Sequence, residues 1–292
     1  MQKILLAVPS RERSFLLKES KRSFKYLKKL DQNLIDVIVF ISNSPKEIEN
    51  YKNNLFRTVP LNYNYISQKI KKIIEYAISN NYNQLILMED DVSLYKLTGV
   101  SNEYGNYYNI ITNTNQLNKL FNIMIITCNE EFIMTHPVGR LGSNQIKRTF
   151  VCNKRITGKL LCLNLEVFKT IDLSILETVM YKEDYCLVLL SLLNGYKTLG
   201  ISEFCTEDTK RGYRGGSSTN RTLEKYNEST KIFYNYFKEK IDLSLRYKNT
   251  KSNELFNGQT LEVVMNLSKF EHKITKDYFK NISDVEYFKG EL

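Results

Sequence analysis

Glu89-Asp90-Asp91 is the densest concentration of reactive chemistry in this chain, because three consecutive carboxylates follow directly on the apolar run Gln84-Leu85-Ile86-Leu87-Met88. Packing does not account for acids at a strand end. Left unpaired they repel one another and raise their own pKa values, and a hard cation such as Mg²⁺ or Mn²⁺ relieves that repulsion. Glu89 and Asp91 can share one such ion while water and phosphate oxygens fill its other positions. An acidic turn or a helix cap is the competing reading. A second acidic pair, Glu183-Asp184, precedes the most apolar helical stretch, Tyr185 to Leu193. There one carboxylate would act as general base toward an acceptor hydroxyl, or would only complement the helix dipole, a gain of roughly 0.3–1 kcal/mol. The third constellation is Arg211 to Thr222, where Arg214, Gly215, Gly216, Ser217, Ser218, Thr219 and Arg221 combine small, hydroxyl and cationic residues. Paired glycines let a backbone approach a ligand, hydroxyls donate hydrogen bonds, and arginines neutralise phosphate. A plain surface loop is the alternative.

Several classes of chemistry lack their residues. The two histidines, His136 and His272, stand in no ligand spacing, which argues against a zinc centre or a Ser-His-Asp triad and makes both structural. Neither a P-loop lysine motif nor Gly-x-Gly-x-x-Gly follows the first strand, against an NTPase or a dinucleotide dehydrogenase. The formal net charge of +10 favours a polyanionic partner, although a solvated basic surface also fits. The five cysteines are odd in number and without paired metal spacing, so they read as buried thiols of a reducing compartment, with the cytoplasm as the expected location. No apolar run approaches a membrane span, and a strand within four residues of the start leaves no room for a signal peptide. Nothing in the pattern reports an oligomeric state.

These residues need elements to position them. Lys3 to Val8 is a continuous apolar run ended by Pro9, the mark of a buried parallel strand, and it delivers Ser10, Arg11 and Arg13 to the strand end. Phe15 to Leu30 has helical spacing with a basic stripe. Ile35 to Ile41 is a second strand, followed by a short helix with Pro45 in its first turn. Ser67 is placed to cap a helix from Gln68 to Ser79, ahead of the strand that ends in the acids. Asn102 to Asn115 and Thr135 to Asn144 read as long loops near the acidic cluster. Leu160 to Leu165 and Tyr196 to Ile201 are further strands, Asn194-Gly195 stops the apolar helix, and a helical pattern resumes at Leu223. Strand-helix alternation of this kind implies an α/β fold with a mainly parallel sheet covered on both faces.

A strand ending in Pro9-Ser10-Arg11-Glu12-Arg13, a strand running into Glu89-Asp90-Asp91 and a helix opening with Glu183-Asp184 together resemble the GT-A nucleotide-sugar glycosyltransferases. The run from Glu183 through Gly195-Tyr196 to the Gly215–Thr222 loop is similar to phage glycosyltransferases associated with TET/JBP-type DNA dioxygenases, which add sugar to hydroxymethylated pyrimidines in DNA. The resemblance covers residues 3 to 240 in motif order, and the last loop is its family-specific part. It implies a GT-A-like, Rossmann-like domain over residues 1–222 with a C-terminal helical extension over 223–292, a divalent metal (Mn²⁺ or Mg²⁺) and a UDP-sugar donor. Asp91 and Glu89 would then be metal ligands, with Asp208 as the further one among Thr206, Glu207 and Asp208. Asp184 would be the catalytic base and Glu183 the second choice. Pro9, Ser10, Arg11, Arg13 and Asp90 would hold the nucleotide, Lys69 or Lys72 would replace an arginine the family often has, and Arg214 to Arg221 would close over donor or acceptor. The acceptor would be a hydroxymethylated base of phage DNA, modified in the host cytoplasm. It would be flipped from the duplex with help from residues between Thr135 and Arg155, its phosphates held by Lys147, Arg148, Lys154, Arg155 and Arg211. A glycan, lipid-linked or protein acceptor is the second reading. A non-catalytic nucleic-acid-binding protein on the same scaffold is the third.

Overall fold

The computed structural model describes residues 3–14, 27, 30, 34–52, 56–101, 105–111, 113–139, 150–152, 159–208, 221–250 and 258–270, with the backbone alone for 97–101, 105–108, 138–139, 150–152, 207–208, 249–250 and 258. Its centre is a sheet of ten strands: β1 (Ile4–Pro9), β2 (Ile35–Ser42), β3 (Arg57–Leu61), β4 (Gln84–Met88), β5 (Val92–Ser101), β6 (Gly105–Ile110), β7 (Phe132–Gly139), β8 (Phe150–Cys152), β9 (Leu160–Asn164) and β10 (Lys197–Asp208). Their order is β3-β2-β1-β4-β9-β7-β10-β5-β6, with β8 also paired to β10. Strands β1 to β4, β6, β7 and β10 point one way, and β5, β8 and β9 run against them. The mainly parallel α/β sheet expected from the sequence is therefore present.

Alternate residues of the central strands feed two cores. Leu6, Val8, Ile86 and Met88 pack on one face with Leu117, Leu120 and Phe121, while Leu5, Ala7, Leu85 and Leu87 pack on the other with Ile70, Ile73 and Ile74. Both faces being covered explains why β1 and β4 read as unbroken apolar runs rather than alternating ones. Seven helices do the covering among the described residues: α1 (Pro45–Tyr51), α2 (Ile66–Ser79), α3 (Thr114–Thr127), α4 (Leu165–Phe168), α5 (Ile175–Thr178), α6 (Glu183–Leu193) and α7 (Leu223–Phe237). In α2 the buried residues Ile70, Ile73, Ile74 and Ala77 fall at helical spacing on one stripe. Complete burial of each such aliphatic side chain contributes about 1.5–3 kcal/mol. Helix α6 ends as its sequence suggests, with Gly195 at φ +83 and its N–H bonded to the carbonyl of Leu192 at 3.1 Å.

Several local expectations need correction. Ser67 does not cap α2: the helix begins two residues earlier, at Ile66 with Tyr65 in the cap position, and the Ser67 hydroxyl, fully buried, donates to the carbonyl of Val179. The stretch read as a loop over Asn102 to Asn115 instead contains β6 and the start of α3, and β5 leads into it. Thr135 to Gly139 belong to β7, a strand in the middle of the sheet. Its polar groups are satisfied locally, with Thr135 Oγ1 donating to the Met124 carbonyl at 3.0 Å and His136 Nδ1 2.9 Å from the Pro137 carbonyl. Pro137 is tolerated because it lies past Thr135, where the ladder to β9 ends. Buried Thr135 and His136 cannot act as a wedge into a duplex, which removes them from the proposed base-flipping region.

The C-terminal extension starts as the expected helix, α7, whose Phe233 and Phe237 are buried in the same core as α2 and α6. It is not helical throughout. An antiparallel hairpin follows, β11 (Leu243–Thr250) with β12 (Gly258–Met265), set by the alternation Leu243, Leu245, Tyr247 against Leu261, Val263, Met265. The basic helix expected over Phe15 to Leu30 lies outside the described residues apart from Leu27 and Leu30, both buried. Cys128, Cys162, Cys186 and Cys205 are buried thiols. No helix among the described residues is long and apolar enough to cross a membrane.

Candidate functional site

Parallel pairing builds the site. In the β1–β4 ladder Ala7 stands opposite Leu87, so three residues further on Ser10 arrives beside Asp90, both beyond the carboxyl ends of their strands. The Ser10 hydroxyl donates to Asp90 Oδ2 at 2.5 Å and lies 2.5 Å from the Tyr51 hydroxyl, which in turn accepts the N–H of Arg13 at 3.2 Å. The Arg13 guanidinium closes the circuit, Nη1 donating to Asp90 Oδ1 at 2.9 Å and to Asp91 Oδ2 at 2.6 Å. Glu12, at φ 56, turns the chain sharply between these groups, and its N–H is held by Glu47 Oε2 at 3.0 Å. Ser10 and Asp90 are buried, at 1% and 3% exposure, so this is an internal network rather than a set of surface ion pairs.

Lys69 approaches from the second turn of α2. It is 1% exposed, and its Nζ donates to the Ser10 carbonyl at 2.6 Å while lying 4.8 Å from the centre of the Tyr63 ring. Burial lowers its pKa to about 7, against the upward pull of Asp90 and Glu47. Glu183 and Asp184 open α6, where the positive end of the helix dipole favours carboxylates. The residue before them, Lys182, takes the left-handed conformation at φ 78, with Nζ donating to the Tyr226 hydroxyl at 3.0 Å and lying 4.4 Å from the centre of its ring. Arg221, just ahead of α7, stacks over Tyr181 at 4.6 Å.

Of these groups Ser10, Arg13, Tyr63, Lys69, Asp90, Asp91, Glu183, Asp184 and Arg221 face one cleft of about 940 Å³, open mouth included. It is lined by Pro9, Ser10, Arg11, Arg13, Tyr63, Lys69, Glu89, Asp90, Asp91, Glu183, Asp184 and Arg221 among others. Every described candidate for nucleotide binding or catalysis except Lys72 thus borders the same space. Its carboxylates are crowded. Burial, then the nearby Asp91, pushes Glu89 up to about 8; burial, then Asp184, pushes Glu183 up to about 7; burial also raises Asp90 and Asp184. The cleft therefore favours protons or cations over bare negative charge.

The fit to a divalent ion can be judged from those oxygens. Glu89 and Asp91 are hard donors on one wall, and the repulsion that raises Glu89 is what a Mg²⁺ or Mn²⁺ ion would relieve, so the pair fits an ion completed by phosphate and water. Among the described residues no cluster of three or more acidic, histidine or cysteine ligands forms a metal cage. Asp208 is described only by its backbone, which β10 pairs with Val92, the neighbour of Asp91. Thr206 is buried and does not line the cleft. Arg214, Gly215, Gly216, Ser217, Ser218 and Thr219 lie outside the described residues, as do Lys147, Arg148, Lys154, Arg155, Arg211 and His272.

No protein-family model matches the chain, and no curated protein does. Solved structures resemble it in backbone. A mycobacterial protein is 9% identical, with 90% of this chain and 84% of that one covered and a TM-score of 0.48. S. aureus TarS 1–349 in complex with UDP-GlcNAc is 11% identical over 80% and 67% of the two chains, with a TM-score of 0.46. The mannosyltransferase PcManGT from Pyrobaculum calidifontis in complex with GDP-Man and Mn²⁺ is 10% identical over 81% and 64%, with a TM-score of 0.45. The chain spans about two thirds of the last two.

Sequence reasoning missed Tyr51, Glu47 and Tyr63. Tyr51 and Glu47 sit on α1 and reach the Ser10–Arg13 turn only because β2 lies beside β1, a contact across some forty residues that leaves no local signature. Tyr63 follows β3 and borders the cleft for the same reason.

Proposed function

We propose that this chain is a metal-dependent glycosyltransferase that moves a hexose or pentose from a UDP-sugar to the hydroxyl of a hydroxymethylated pyrimidine in DNA. The observation that carries the transferase reading is the convergence in one cleft of Ser10 and Arg13, Lys69, Glu89 to Asp91, Glu183 and Asp184, and Arg221, drawn from five separate segments. Acids that prefer a cation lie beside arginines suited to a diphosphate, across from a carboxylate pair at a helix start. Glu89 and Asp91, with Asp208 as a further candidate, would hold the metal, which when bound supplies positive charge to the departing diphosphate.

The chain's own residues supply the remainder. Arg11, Arg13 and Arg221 orient the diphosphate, and Asp184 takes the proton of the acceptor hydroxyl as its oxygen bonds to the anomeric carbon and the carbon–oxygen bond to the diphosphate breaks. Glu183 beside it is the second candidate for the base, its pKa raised by burial and then by Asp184. Lys69, turned to the Ser10 carbonyl, serves the shape of the nucleotide turn more than the nucleotide itself.

The acceptor half of the proposal is supported by sequence: the Gly215–Thr222 loop and the net charge of +10. The test is transfer of labelled sugar from UDP-glucose and other UDP-sugars to hydroxymethylcytosine DNA, offered beside a carbohydrate acceptor. Label on DNA that disappears in Asp91→Ala and Asp184→Ala is expected. Label only on carbohydrate removes the DNA acceptor and keeps the transferase. DNA binding without transfer to either acceptor favours a non-catalytic nucleic-acid-binding protein.

A further inference from the structure

We propose that Arg13 is the exchangeable counter-ion of the acidic strand end: it competes with a divalent ion for Asp91, and a diphosphate draws it away. The inference rests on the donor-site reading above and adds an order to it.

One guanidinium nitrogen, Nη1, bonds both Asp90 and Asp91, at 2.9 and 2.6 Å, with the Arg13 side chain only 12% exposed. A divalent ion on Asp91 would put a second cation against the same oxygen, and like charges at contact repel strongly where water is scarce. The two therefore exclude one another at Asp91 Oδ2.

Three features show that Arg13 can leave while the rest of the turn stays. Asp90 keeps the Ser10 hydroxyl at 2.5 Å, so it is not stranded. The Arg13 backbone remains tied by its N–H to Tyr51, and Glu12 by its N–H to Glu47. Arg13 Nε is buried and makes no hydrogen bond in its present placement. A buried donor left unmade favours any arrangement that satisfies it, and a phosphate can take Nε and an Nη together in the fork geometry that arginine offers. Arg13 lines the cleft, so a diphosphate there is within its field. Arrival of the nucleotide thus both recruits Arg13 and releases Asp91 to the metal.

The test is Mn²⁺ binding to the full chain by calorimetry and electron paramagnetic resonance, with and without UDP, for the wild type and Arg13→Gln. Without UDP, R13Q is expected to bind Mn²⁺ about tenfold more tightly than the wild type, the scale of one charged hydrogen bond. Adding UDP is expected to tighten Mn²⁺ binding more in the wild type than in R13Q. Equal or weaker Mn²⁺ binding by folded R13Q, beside clear binding by the wild type, overturns the competition and leaves the donor-site reading standing. No Mn²⁺ uptake by either protein, with or without UDP, overturns both. Should R13Q fail to fold, Arg13→Met removes the charge while keeping an unbranched apolar stem and is expected to bind Mn²⁺ about tenfold more tightly than the wild type; unchanged affinity there overturns the inference.

Discussion

As proposed base, Asp184 meets opposite demands: a base must be ionised to accept a proton, yet burial holds both Asp184 and Glu183 in the protonated form to higher pH, and Asp184 adds to the effect on Glu183. With Asp184 raised above the ordinary carboxylate value by burial, transfer is expected to fall as pH drops through its elevated pKa and to level off above it, read from a pH–rate profile. Asp184→Asn is expected to lower kcat by about a hundredfold or more while leaving the KM for the donor little changed, the pattern of a group used in the transition state. The Glu183 shift has a stability consequence of definite sign. A carboxyl whose folded pKa is raised from 4.5 to about 7 binds more protons folded than unfolded in that interval, so it costs stability as pH rises across it. Glu183→Gln should therefore match the wild type near pH 4 and exceed it by about 1–3 kcal/mol at pH 8, measured by urea unfolding at the two pH values. A uniform loss of stability at both would contradict the assignment.

Helix α6 depends on the residue before it. Lys182 holds a left-handed backbone conformation that costs a non-glycine residue roughly 1–2 kcal/mol, and its side chain spans to Tyr226 on α7. Lys182→Gly keeps the turn and loses the tie, whereas Lys182→Ala keeps the strain and loses the tie, so the alanine variant is expected to be less stable than the glycine variant by about 1 kcal/mol in denaturant unfolding. At this scale the first half of the fold was readable: β1, β2 and β4 are buried on both faces and appear as apolar runs, α2 shows its stripe, and Asn194-Gly195 marks the end of α6. The misses share a cause. β7 carries Thr135, His136 and Pro137, whose polarity is neutralised by contacts to Met124 and within the strand, and no composition rule anticipates that. Ser67 has the chemistry of a helix cap, but its hydroxyl is claimed by the Val179 carbonyl, 112 residues away. The candidate site was legible wherever the residue type itself was out of place, as with acids at an apolar strand end. Its supports Tyr51, Glu47 and Tyr63 were not, because an ordinary residue becomes part of a site only through the sheet order that brings it there.

Over the whole molecule, the net charge of +10 sets how an acceptor of DNA would be held. If the phosphates of the acceptor are neutralised by lysines and arginines, affinity for hydroxymethylated duplex is expected to fall at least about tenfold between about 50 and 200 mM salt, as fluorescence anisotropy would show. An affinity indifferent to salt would point to an uncharged acceptor. The cleft proposed for the donor makes the stronger claim, since its residues converge from β1, β4, α2, α6 and the approach to α7. The most direct measurement is calorimetric titration of UDP into the full chain with and without Mn²⁺, in the wild type and in Asp91→Asn. The account predicts UDP binding that Mn²⁺ strengthens by about tenfold or more and that Asp91→Asn makes indifferent to the metal. UDP binding equal with and without Mn²⁺ in folded wild type, or no binding at all, would contradict it.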